Sequence, residues 1–306
     1  MKYNTEFLHN FMARYSYPEE AVNEFIRIAK RLDIEAAFGD KMGKIVEDYM
    51  YIEDSSLDEA LDKIKALGEE FGENEYTMDF MFLLCCAPIL KEKYDKAGID
   101  EAIFWNSADD FRCKLLECME CEEVPGTFVA GWNNGTFKMT RFAYGRFQYE
   151  LCTYNWEKDF VTSCGKVLHV GDTYVNFHIP SSGIPLTDEV RLASYKEAYQ
   201  HYKHLFPDGK VIFGCGSWLL YPRHREFLPK HSNILRFMDD FEVVGSAEKD
   251  NFSNGWRVFG KDSDLPLEQL PRRTSLQRAY ADWLLAGNKA GDAFCVFVFD
   301  GEKILR

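Results

Sequence analysis

The sequence predicts an α+β chain in which a helical N-terminal domain precedes a mixed β-sheet flanked by helices. Three observations predict it. Up to about residue 125, apolar residues recur at intervals of three and four; beyond Pro125-Gly126, aromatic-rich segments of alternating pattern take over. The charge changes at the same place, with 14 basic and 29 acidic residues (net −15) over 1–125 against 22 and 21 (net +1) over 126–306. Domains of 1–125 and 126–306 are therefore expected.

Each helix of the first part has its own local reason. Val22, Phe25, Ile26, Ala29 and Leu32 form one apolar stripe behind Pro18, which suits a first helical turn. Ser56 and Glu59 make a capping box ahead of Leu57, Leu61, Ile64 and Leu67. Met78–Tyr94 is apolar nearly all round, as the central helix of a bundle must be, with Pro88 expected to kink or divide it. Ser107 is expected to cap a last helix that runs to Cys121.

In the second part, Thr136–Tyr154 reads as a long strand or hairpin, and Lys166–Val170 with Thr173–Ile179, around Gly171-Asp172, as another hairpin. A helix from Thr187 to Phe206 follows the loop Pro180 to Leu186. Then come a strand (Lys210–Leu220), a helix (Asn233–Phe241), a strand (Glu242–Val244), a helix (Ser275–Ala286) and a last strand (Ala293–Asp300).

Composition narrows the function. With 306 residues, 46% hydrophobic, the chain can bury a large core, and a net charge of −14 argues against nucleic acid and anionic membranes as partners. The N-terminus lacks a signal-peptide pattern, and the most apolar stretch, Phe80–Leu90, is too short to span a bilayer, so a soluble cytoplasmic protein is expected. Nine cysteines without framework spacing read as reduced thiols. The one CxxC, Cys118 and Cys121, has no second pair; His201 and His204 share a helix face without a third ligand, and no metal is expected.

Four strings bring in a resemblance: RFAYGRFQYE at 141–150, FHIPSSGIPLT at 177–187, GCGSWLLYP at 214–222 and LPKHSNILRF at 228–237. They resemble a family of bacterial acyltransferase-domain proteins with a helical N-terminal domain and a C-terminal domain similar to the GNAT N-acyltransferase fold. The resemblance implies an acyl-CoA co-substrate whose diphosphate meets backbone N–H groups of a loop between a strand and a helix N-terminus. On this chain that loop is Pro180 to Leu186, so Ile179, Ser181, Ser182, Gly183 and Arg191 become the expected cofactor-binding residues. The match departs from the glycine-rich pattern. Only Gly183 is present, Pro180 and Pro185 bring no N–H, and Asp188 and Glu189 already occupy the first turn behind the N-cap Thr187.

Candidate chemistry gathers beside that loop. His178, at a strand end, is either a general base or a histidine bonded to a backbone carbonyl. Arg146, Gln148 and Glu150 share one strand face, which is either solvated or lines a cleft. In a cleft, Glu150 orients His178 or binds a cation, and Arg146 holds a carboxylate. In GCGSW, Ser217 is placed to donate to a thioester or leaving thiol and Trp218 to line the substrate, whereas Cys215 is either a nucleophile or an inert buried thiol. Tyr221 to Arg225, with Lys230 and His231, form a cationic stretch that suits an anion or neutralises acidic neighbours. The leading expectation is an acyltransferase acting on a small amine or hydroxyl acceptor, with His178, Glu150 and Ser217 catalytic. The alternative is a non-catalytic module that holds a fatty acid or other small apolar ligand in a cleft between the domains. The oligomeric state is open.

Overall fold

A computed structural model describes residues 5–306, which form two compact units that divide between Phe142 and Ala143. The first unit is helical: α1 (Thr5–Arg14), α2 (Glu19–Ile34), α3 (Ala36–Tyr51), α4 (Leu57–Phe71), α5 (Glu75–Lys96), α6 (Glu101–Cys121), then a 3-10 turn (Ala130–Asn133) and the short α7 (Asn134–Phe137). Its core is built on α5, where Met78, Phe80 to Leu84 and Cys86 are all buried. That all-round burial is why α5 carries no amphipathic stripe.

Four expectations change here. Helix α5 is not divided at Pro88 but runs on through it. Helix α6 starts six residues before Ser107, because Asp100 accepts from the Ala102 N–H at 2.8 Å and caps it, leaving Ser107 buried in the helix. Pro125-Gly126 is no boundary: a Cβ at Gly126 would lie 2.4 Å from the Tyr76 backbone, and the Thr127 N–H bonds the Tyr76 carbonyl at 3.0 Å. Thr136 and Phe137, expected to be extended, instead belong to the helix α7, since Ala130, Phe137 and Met139 pack into the helical core. Tertiary burial overrides β-propensity there.

The second unit contains β1 (Arg141–Tyr144), which begins just before it, β2 (Phe147–Thr153), β3 (Phe160–Val161), β4 (Val167–Leu168), β5 (Thr173–His178), α8 (Asp188–Tyr202), β6 (Val211–Ser217), α9 (His224–Phe227), α10 (Asn233–Met238), β7 (Glu242–Lys249), α11 (Trp256–Phe259), α12 (Ser275–Leu285), β8 (Ala290–Phe299) and β9 (Ile304–Leu305). The main sheet has the order β1-β2-β5-β6-β8-β7, with β9 added on β8. The expected hairpin around Gly171-Asp172 is not one: β4 pairs with β3, while β5 pairs antiparallel with β2. The parallel neighbours β5 and β6 pair only at Val175–Phe213 and Asn176–Gly214.

The two sheet faces divide the chemistry. Phe147, Tyr149, Phe177, Phe213, Phe297 and Phe299 lie on one face and pack on Tyr195 of α8, on Phe237 of α10 and on Phe241 just after it. Ser194 of α8 ties that layer down: its Oγ donates to the Tyr144 carbonyl, accepts from the Phe147 N–H at 3.2 Å and lies 2.8 Å from Tyr149 Oη. The opposite face carries Gln148, Glu150, Asn176 and His178.

Candidate active site

The antiparallel register sets Gln148 against His178 and Glu150 against Asn176. Directly opposed residues leave a sheet on the same side, so four polar side chains from two strands meet. His178 Nε2 lies 2.5 Å from Glu150 Oε1, with Asn176 Nδ2 3.2 Å from the same nitrogen. Both dyad side chains are about one-fifth exposed, at 20% and 17%. Pairing between β5 and β6 stops two residues before His178, so the dyad stands where the two strands part. Gly216 shares this face and is exposed, and a Cβ there would meet only Phe294, at 4.0 Å. Gly214, by contrast, is held bare by crowding, because a Cβ would come within 2.5 Å of the Tyr174 ring.

The loop after β5 is fastened by two arginines. Arg146 donates its Nε–H to the Ile184 carbonyl at 3.0 Å. Arg191 donates to the Leu186 carbonyl at 2.7 Å and forms a two-pronged pair with Asp240 at 2.7 and 3.2 Å. Burial works against the Arg191 charge, but Asp240 more than offsets it and the guanidinium is held above its usual range. Arg191, 4% exposed and also 3.1 Å from Asp188, is thus committed to the protein rather than turned to a cofactor phosphate. Arg146 likewise serves the loop. Gly183 at the loop tip has a φ of 75°, a conformation glycine adopts without strain, and Ser182 Oγ accepts from the Ile184 N–H at 3.4 Å. Ile179, Ser181, Ser182 and Gly183 all lie in this loop.

Other candidates are not brought to the dyad. Register puts Ser217 and Cys215 on the other face from Gly214 and His178. Ser217 Oγ accepts from the Leu219 N–H at 3.2 Å, capping a 3-10 turn, and so is not placed to donate to a thioester at His178. Cys215 is 1% exposed, and burial pushes its thiol far above the ordinary range, which removes it as a nucleophile. Trp218 packs on His224, Phe252 and Tyr280 in a separate aromatic cluster. In the cationic stretch, Arg223 pairs with Glu226 and Glu248, and Arg225 with Asp239. Sequence reasoning missed Asn176, whose signal was present: it shares strand parity with His178.

Residues 142–297 match the model of the GNAT-like C-terminal domain family, and residues 6–139 that of the N-acyltransferase N-terminal domain. This chain belongs to the GNAT-like C-terminal domain family. The GNAT-like fold extends to solved structures: an acyltransferase in complex with decanoyl-CoA and teicoplanin is 20% identical, covers 94% of this chain and 86% of its own, and has a TM-score of 0.70. An acyltransferase mutant in complex with octanoyl-CoA gives 20%, 94%, 86% and 0.71. No curated protein matches the chain. Within the GNAT-like unit, the loop from β5 into α8 lies between a strand and a helix N-terminus. No helix among the described residues is long and apolar enough to cross a membrane.

Proposed function

We propose that the chain transfers an acyl group from an acyl-CoA-type thioester to a small amine or hydroxyl acceptor, with His178 as general base and Glu150 holding it. The 2.5 Å contact between His178 Nε2 and Glu150 Oε1, at the point where β5 and β6 part, carries this reading. A carboxylate that accepts the Nε2–H fixes the imidazole tautomer and leaves the basic lone pair on Nδ1. The acceptor loses its proton to that nitrogen as it attacks the thioester carbon, and the leaving thiolate takes the proton back as the C–S bond breaks. Acyl-CoA and CoA in the similarly folded acyltransferases support the donor class.

Arg146 and Arg191 bear on the donor through the loop. A trans peptide sets its C=O and N–H in opposite directions. Binding the Leu186 carbonyl to Arg191 therefore turns the Thr187 N–H away from that guanidinium. This orientation supports anion binding at the α8 end despite the two prolines. The test is calorimetric titration with acetyl-, octanoyl- and decanoyl-CoA, followed by mass spectrometry of products with amine acceptors. Binding of at least one donor and acyl transfer that His178→Gln abolishes are expected; no binding of any donor would sink the proposal.

A further inference from the structure

One buried group beside the dyad has no partner. Gln148 is 2% exposed and stands opposite His178 in the ladder, yet its Oε1 accepts no hydrogen bond. Its ladder partner His178 is engaged with Glu150. Folding tolerates an unpaired buried acceptor mainly where something else supplies the missing donor.

We infer that Gln148 is a specificity-determining residue, its Oε1 receiving the second N–H of a primary amine acceptor. This rests on acyl transfer at His178. When a primary amine attacks the thioester carbon, the C–N bond forms and the nitrogen carries two protons. One passes to His178, which returns it to the departing thiolate as the C–S bond breaks; the other remains in the product amide and points at Gln148. A secondary amine or an alcohol brings only the proton that His178 must remove. Gln148 then stays unpaired through the reaction, and a site built to bond a polar group discriminates strongly against substrates that lack it.

The experiment measures kcat/KM for a panel of primary amines, each matched with its N-methyl analogue and its alcohol, using octanoyl- and decanoyl-CoA as donors, in the wild type and in Gln148→Met. The wild type should prefer the primary amine by about tenfold or more. Methionine keeps the bulk of glutamine but has no amide, so in Gln148→Met the preference should shrink to the steric residue while the melting temperature holds or rises. A wild type indifferent to N-methylation, or a preference that survives unchanged in Gln148→Met, would overturn the inference while leaving acyl transfer intact. Should the wild type transfer to no member of the panel, the proposed function falls and this inference with it.

Discussion

A single proton-holding contact separates His178 from an ordinary strand-end histidine. If Glu150 fixes its tautomer, Glu150→Gln keeps the shape but removes the charged acceptor that stabilises the protonated imidazole. The expected loss is about 10²-fold or more in kcat with donor KM within about threefold. Steady-state kinetics decides, and a kcat within about fivefold of wild type would leave Glu150 a structural partner only. The alternation on each strand was legible from residue spacing, but the pairing of the two strands was not, because the sequence set Thr173–Ile179 against Lys166–Val170. Arg146, Gln148 and Glu150 alternate along one strand, and His178 ends the strand that pairs with it. Ser217 shows what spacing hides. Alternation ties Ser217 to Cys215, but which sheet face the pair takes depends on Asn176 meeting Gly214 across a parallel pair, and no local signal encodes that register.

At the scale of elements, the loop from Pro180 to Leu186 is held from below instead of being supplied with glycines. Arg146→Met removes the hold on Ile184, so the KM of acyl-CoA donors should rise about tenfold, while acyl-pantetheine donors, which lack the diphosphate, should keep their KM. Arg146→Lys, with one donor and the charge retained, should recover part of the loss. An equal rise for both donor types would assign Arg146 to general stability.

The cluster of α9 and α12 yields a second element-scale prediction. His224 is fully buried, its Nε2 2.5 Å from Tyr280 Oη and its Nδ1 3.2 Å from the Leu219 carbonyl. Burial pushes its pKa down from 6.5 to about 4. Between these values the unfolded chain binds a proton that the folded chain refuses, so stability present above pH 6.5 drains away as pH falls to 4. The loss amounts to roughly 3 kcal/mol. Denaturation midpoints measured across that window should fall, and His224→Gln should flatten the fall. An unchanged slope would show that other groups carry it. Sequence reading passed this cluster over because His224 stood in a run of cations, Tyr221 to Arg225, that resembled a surface. Only the fold turns His224 inward while Arg223 and Arg225 find carboxylates outside.

For the whole molecule, the charge asymmetry survives the shift of boundary. Lys138 and Arg141 join the helical unit, which then holds 16 basic and 29 acidic residues (net −13), against 20 and 21 (net −1) in the GNAT-like unit. Each unit closes a core from its own residues, Leu8 to Phe137 in one and the Tyr154 and Val258 clusters in the other. One buried group in each unit responds to pH, and the two respond in opposite senses. In the helical unit, burial first and Glu75 second push the Asp79 carboxyl up to about 7, and its Oδ1 has no hydrogen-bond partner. From about pH 4 to 7 folded Asp79 retains a proton that the unfolded chain releases, so its contribution to the helical unit declines as pH rises, whereas the contribution of His224 to the GNAT-like unit declines as pH falls. Scanning calorimetry across pH 4 to 7 should therefore show Asp79→Asn holding up the helical transition at neutral pH and His224→Gln holding up the GNAT-like one near pH 4. A hundredfold excess of acyl-CoA over its Kd should lift only the GNAT-like transition, by about 5–10 °C. One transition that shifts as a whole under every condition would show that the two cores melt together, and a lift confined to the helical transition would place the donor away from His178.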